Sequence, residues 1–227
     1  MGLPSGTYFC ESTPITDHTF VFADIAGFTA ASDIHGDETA ADLSAALVAA
    51  ARTALAADGR LVKTLGAAVL CAAPNPTSAI RFVEDLVEKT QQIALFPLLR
   101  IGLHHGPAIE RDGDFFGTSV NIAARVTALA APGQILATAG VADVAAALDI
   151  ATTSLGQFSL RNLRDEFELF ELTTGRSLHG HAIDPVCRML VERDYAVGRL
   201  RHDSVEYWFC SLDCVERFAA APHVYVQ

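Results

Sequence analysis

Between Thr19 and Leu172 short apolar runs alternate with longer segments of helical period, and this alternation restricts the fold more than any other feature. "TFVFADI" (19–25) reads as a strand ending in an acid, and "AGFTAASD" after it as a Gly-containing turn with helix-capping residues. Residues 37–57, rich in Ala and Leu, read as a helix stopped by Asp58-Gly59. "RLVKTLGAAVLCAAP" (60–74) is a β-hairpin about Gly66, and residues 77–95 are a second amphipathic helix. A strand over 97–111, a turn at 112–114 and a third helix over 118–131 follow. Then come a strand over 134–138, a helix over 139–148 and a pair of strands over 158–172. The sum is an α+β sandwich.

The formal net charge of −11 argues against a general nucleic-acid or anionic-membrane binder, because phosphates are held by clustered Lys and Arg. A local basic site remains compatible with a nucleotide. There is no apolar run of membrane-spanning length, so no membrane span is expected. Residues 1–17 lack a basic stretch followed by an apolar one, so no export signal is expected either. With an odd cysteine count of 5, this points to reduced thiols and a cytoplasmic location.

Three of the cysteines, Cys187, Cys210 and Cys214, cluster near the end of the chain. The expected organisation is an N-terminal segment (1–18), a first domain (19–174), a polar linker (175–182) and a second unit (183–227). A unit of about 45 residues rarely holds together without a staple or a metal.

Candidate site residues in the first domain have ordinary readings when taken singly. Asp24 at a strand end suits a cation, or simply a helix cap. Lys63 suits a solvated strand face, and Asp114 a surface turn. Asn121 and Arg125, four apart on one helix, share a face that suits a polyphosphate, or an ordinary polar surface. His104 and His105 are expected to alternate between core and surface on their strand.

Together, "FVFADIAGFT", "GRLVKTLG", "LRIGLHHGPAIERDGDFFGTSVNIAARV" and "APGQILAT" resemble the class III adenylyl/guanylyl cyclase catalytic domain, in register over about 19–172. The resemblance implies a ferredoxin-like fold with a βαββαβ core sheet and helices. It also implies a head-to-tail homodimer that converts ATP to cyclic AMP and pyrophosphate, with Mg²⁺ or Mn²⁺ held by two aspartates, of which Asp24 is the first. Lys63 and Asp114 match the adenine-selecting pair. Lys63 donates toward N1 and Asp114 accepts from the exocyclic amine. Phe28 and Thr29 fall at substrate-contacting positions, and Asn121 and Arg125 at positions that hold the ribose and stabilise the transition-state phosphate. Arg161, or Arg164, stands where the family carries a lysine for the terminal phosphates.

The chain departs from this pattern at Ala67, where the second metal aspartate normally follows the hairpin glycine. Three accounts compete: an introduced Asp→Ala change, a lineage that binds nucleotide without turning it over, and an enzyme that uses other ligands. Weak or absent activity is expected, and the alternative function is a non-catalytic nucleotide- or metal-sensing pseudocyclase.

In the second unit, two Cys four apart at a strand-to-helix junction, joined by Cys187, suit one metal ion; buried free thiols in a small core are the other reading. The fourth ligand is left among Asp184, His181, His202 and water. "DPVC.M.V" followed by "YWFCS..C..RF...P..Y" resembles a YHS domain, a small treble-clef-like module, which implies Zn²⁺ or Cu⁺ at these cysteines and a regulatory role.

Overall fold

The central strand shows why the sheet forms where it does. In β1 (Ile15–Ile25) the run Thr19 to Ala23 is buried without interruption, as expected of a strand covered on both faces. Phe20 and Phe22 point to one face and Val21 and Ala23 to the other, each joining a different apolar cluster.

The computed structural model describes residues 15–174 and 180–226. The segment read over 1–18 lies mostly outside these residues, and the linker read over 175–182 lies partly outside them.

After β1 come α1 (Phe28–Ala54), β2 (Arg60–Leu65), β3 (Ala68–Ala73), α2 (Pro76–Gln91) and β4 (Leu99–Arg111). The order β2-β3-β1-β4 with α1 and α2 on one face is the expected βαββαβ unit. β5 (Asp114–Phe116) folds back on β4, and α3 (Thr118–Leu129) covers the opposite face. β6 (Ile135–Thr138) runs parallel to β4; α4 (Ala139–Ala147) follows, and β7 (Ala151–Ser159) and β8 (Glu166–Thr173) close the far edge.

Three expectations need correction. "AGFTAASD" is not only a turn. Gly27, at φ 72, starts α1 directly, and a break at Gly36 (φ 86, ψ 169) divides that helix. The expected start at Asp37 is therefore the start of its second half. β7 begins at Ala151, ahead of the expected 158, and is mostly exposed. The second helix ends at Gln91, before Leu95, whose φ of 60 is left-handed.

The C-terminal unit contains two hairpins followed by two short helices. β9 (His181–Ile183) pairs with β10 (Leu190–Glu192), β11 (Gly198–His202) pairs with β12 (Val205–Phe209), and α5 (Leu212–Ala220) and α6 (Pro222–Tyr225) follow. It has no separate core. Val186, Met189, Phe209 and Phe218 belong to the same buried cluster as Leu47, Val83, Leu86 and Phe96. A backbone bridge joins Met189 to Pro97.

Candidate functional site

β2 carries an irregularity between Leu61 and Lys63, and beyond it the lysine pairs with Leu70 of β3. A bulge of this kind re-aims a side chain. The β4–β5 turn uses Asp112 and Gly113, both at positive φ (52 and 80), as a two-residue hairpin requires. These two local devices bring residues 51 apart together: Lys63 Nζ donates to Asp114 Oδ2 at 2.6 Å. Asp114 Oδ1 also accepts from the Phe115 amide at 2.8 Å. The Lys63 contact holds the Asp114 carboxyl below its usual range.

α3 is pressed onto β4 at two glycines. A Cβ on Gly102 would lie 2.3 Å from the Thr127 amide nitrogen, and one on Gly106 would lie 2.6 Å from Ser119 Oγ. This contact fixes the height of Asn121 and Arg125 above the sheet. Asn121 is exposed, and Arg125, half-buried, donates through Nη1 to the Asn121 carbonyl at 3.1 Å. Among the described residues no carboxylate pairs with Arg125, so its guanidinium remains available to an anion. Arg161 and Arg164 are exposed in the β7–β8 turn, and Leu160 of that turn packs with Ile122 and Val126 of α3.

Asp24 occupies a different part of the sheet. It lies opposite Arg100 of β4 in register and accepts a hydrogen bond from that guanidinium, whereas Asp114 lies opposite Arg111 at the other end of the same strand. On its other side, Asp24 pairs with Ala68, and the Ala67 carbonyl accepts from the Ile25 amide at 3.1 Å. Among the described residues, Arg100 Nε is buried without a partner. One carboxylate already answered by a guanidinium, a methyl at Ala67 and an orphan N–H that calls for an anion do not fit the two-cation cradle the resemblance implies. Phe28 packs against the core at the start of α1, and Thr29 beside it is exposed.

The two strand histidines are both half-buried. His104 bonds Thr138 Oγ1 at 2.8 Å and His105 bonds Thr19 Oγ1 at 3.0 Å, so neither is the free surface residue that alternation suggested. Burial lowers the His104 pKa to about 4.

In the C-terminal unit Cys187, Cys210 and Cys214 come together, and the fourth residue of the group is His35 of α1. None of the three side chains expected as a fourth ligand is in the group. Asp184 is fully buried and its oxygens accept from the amides of Val186, Cys187 and Cys210. His202 sits against Phe218, and His181 stands in β9 opposite Glu192. Reading the sequence missed Arg100 and His35. Arg100 was legible as a lone cation in an apolar strand, whereas His35 carried no local signal beyond the glycine after it.

The family model for the adenylate and guanylate cyclase catalytic domain matches residues 10–174. A pH-sensitive adenylate cyclase of Mycobacterium tuberculosis is 34% identical over 166 residues, covering 71% of this chain and 42% of that protein. An adenylate cyclase of Streptomyces coelicolor is 39% identical over 116 residues, covering 51% of this chain and 30% of that protein. The chain thus spans less than half of the length of these relatives. Among solved structures, an adenylate cyclase from Trypanosoma brucei superposes with a TM-score of 0.63 at 23% identity, covering 71% of this chain and 89% of that one. The adenylyl cyclase CyaB from P. aeruginosa gives 0.60 at 19% identity, covering 72% of this chain and 96% of that one. These structural likenesses share the α+β fold, and the family match takes in most of the chain: it belongs to the adenylate and guanylate cyclase catalytic domain family.

Proposed function

We propose that this chain is an adenine-type cyclase domain that binds ATP in a head-to-tail homodimer and turns it over weakly as written. The observation that carries the reading is the Lys63–Asp114 pair, 2.6 Å apart and only part-exposed. A cation beside a carboxylate matches the N1 acceptor and the amine donor of adenine. Guanine presents a carbonyl where adenine has its amine, and so opposes this order. Opening the pair to admit a base costs at most about 1 kcal/mol, because it is near solvent.

The register supports the reading of a second copy. Asp24 and Asp114 lie opposite Arg100 and Arg111, at the two ends of β4, so one chain does not close a site around both. Asn121 and Arg125 from one copy, facing Asp24 of the other, supply the rest. Arg125 takes up charge that develops on the α-phosphate as the 3′-oxygen attacks, and Asn121 orients the ribose. Arg161 or Arg164 reaches the pyrophosphate, and Phe28 and Thr29 line the phosphate end. Cyclases of this class use Mg²⁺ or Mn²⁺. With Ala67 in place of an acid we assign no step to a cation in this chain. The C-terminal unit is, on the same reading, a metal-binding regulatory module of YHS type built on Cys187, Cys210 and Cys214.

The test measures ATP and GTP binding by calorimetry, then cyclic AMP formation with Mn²⁺ by the chain as it stands and by Ala67→Asp. ATP should bind in preference to GTP. Product formation should rise about a hundredfold in the variant, equivalent to roughly 2.7 kcal/mol of restored transition-state stabilisation. A high rate without the change and no gain with it would overturn the claim of impairment, and no ATP binding would overturn the whole reading. The engagement of Asp24 by Arg100 favours a second reading, a nucleotide-binding pseudocyclase. ATP binding with no product from Ala67→Asp selects it.

A further inference from the structure

The four side chains gathered beneath the C-terminal unit have the dimensions of a coordination tetrahedron. Sγ of Cys210 is 3.3 Å from that of Cys187 and 3.7 Å from that of Cys214. His35 Nε2 is 3.5 Å from Cys210 Sγ and 4.0 Å from Cys214 Sγ. All four ligand atoms fall within 4.8 Å of one another. For a tetrahedral zinc with bonds of about 2.3 Å to sulfur and about 2.05 Å to nitrogen, the edges are about 3.75 Å for S–S and about 3.55 Å for S–N. The four separations each lie within about 0.5 Å of the corresponding edge. A Cys187–Cys210 disulfide would need about 2.05 Å.

The surroundings are those of a ligand set. Cys187 and Cys214 are fully buried and Cys210 is nearly so, and the sulfurs lie against one another and against His35. Asp184 accepts from the amides of Cys187 (3.3 Å) and Cys210 (2.9 Å), which orients two of the three cysteines as an outer-shell partner does. Ser211 Oγ accepts from the Cys214 amide and caps α5 there. A cleft of about 410 Å³ lined by His35, Leu43, Ile93, Met189 and Cys210 gives an entry path. Three thiols and an imidazole in a closed tetrahedron select a borderline divalent ion of the zinc type over a hard one.

We infer that Cys187, Cys210, Cys214 and His35 bind one zinc-type cation, and that this ion fastens the C-terminal unit to the helix that follows Asp24. The inference rests on the reading of the three cysteines as a metal site and adds to it a ligand from the cyclase domain. His35 is the last residue before the break at Gly36, and the first half of α1 runs back from it to Phe28. The next residue after Cys187 is Arg188, whose Cγ lies 2.5 Å from where a Cβ on Gly27 would sit. Arg217 of α5 meets Asp33 at 2.7 Å. The ion would therefore hold the unit against Gly27, next to Phe28 and Thr29, which the cyclase reading assigns to substrate.

The experiment uses the full chain, reduced and stripped of metal, titrated with Co²⁺ and then with Zn²⁺. One Co²⁺ per chain should bind with the visible spectrum of tetrahedral three-sulfur, one-nitrogen coordination, and Zn²⁺ should displace it. His35→Ala should lose about tenfold or more in affinity and change the spectrum. His35→Cys should restore the affinity with a four-sulfur spectrum, which shows that the site and not the fold had been lost. Hydrogen exchange of residues 27–35 should slow on Zn²⁺ addition in the parent chain and not in His35→Ala. If His35→Ala matches the parent in affinity and spectrum, the inference fails while the cysteine reading stands. If the parent chain takes up neither metal, both fail.

Discussion

Asp184 offers the sharpest test of what holds the C-terminal unit together. Its carboxylate is fully buried; Oδ1 accepts from the Val186 amide at 2.8 Å and the Cys187 amide at 3.3 Å, and Oδ2 from the Cys210 amide at 2.9 Å. Asp184→Ala strands three buried donors, each of which costs about 1–3 kcal/mol. Part of that is returned, because burial pushes this carboxyl up and so opposes its charged form. The 3.3 Å contact is also the weakest of the three. The expected net loss is therefore near the low end, about 3 kcal/mol. Asp184→Asn keeps the Oδ1 acceptor and sets an amide against the Cys210 N–H, losing one bond, about 1–2 kcal/mol. Amide hydrogen exchange in chelator, read at Val186, Cys187 and Cys210, should show large, then intermediate, loss of protection in Ala and Asn. An Ala variant within about 0.5 kcal/mol of the parent, or an Asn variant worse than Ala, would refute the assignment of these three bonds as the framework of the unit.

Two further outcomes are expected. Gly102→Ala places a methyl 2.3 Å from the Thr127 nitrogen and 2.8 Å from its Cα. Backbone cannot yield as a side-chain tip does, so the variant should lose at least about 2 kcal/mol in urea denaturation and weaken ATP binding by moving Asn121 and Arg125; unchanged values in both would count against the packing argument. His104 has its pKa lowered to about 4, chiefly by burial, so the folded chain prefers the neutral ring. Its contribution is complete above the ordinary value of 6.5 and is lost as pH falls through that window toward 4. Allowing for partial exposure this is about 2 kcal/mol, and His104→Gln should flatten the acid limb; an identical limb would remove His104 as its cause.

What could be read from the sequence, and what could not, divides along physical lines. β1, the hairpin about Gly66 and α3 are each encoded by neighbours: an apolar run ending in an acid, a glycine between two β-prone runs, and helical spacing bounded by Gly117 and Pro132-Gly133. The Lys63–Asp114 pair was legible only through the family pattern, since its partners are separated by 51 positions. The first half of α1 was hidden because Ser, Thr, Asp and Gly there favour turns in isolation. In the structure a tertiary bond, the Ala26 amide to the Leu98 carbonyl at 2.9 Å, fixes the chain just before the helix. β7 escaped because an edge strand with mostly exposed residues has no alternation to show, and Gly156 at φ 91 marks an irregularity in its pairing. His35 could not have been found locally, because its partners begin at Cys187 and only the docking of one unit on the other makes it a ligand candidate.

That docking also fixes how the two halves of the chain can influence each other. Phe209 and Phe218 share a buried cluster with Leu86 and Phe96, so the C-terminal unit cannot leave without exposing apolar surface on both sides. The inferred metal site would lose its fourth ligand if His35 were withdrawn. Gly27 lies hard against Arg188, the residue that follows Cys187, so a shift at one is felt at the other. Linkage then requires reciprocity. If an ion on the three thiols and His35 changes ATP affinity by some factor, ATP must change the affinity for that ion by the same factor, about 1.4 kcal/mol for each tenfold. A C-terminal unit that sensed metal without touching α1 would be free of this constraint; one that borrows its fourth ligand from α1 is bound by it.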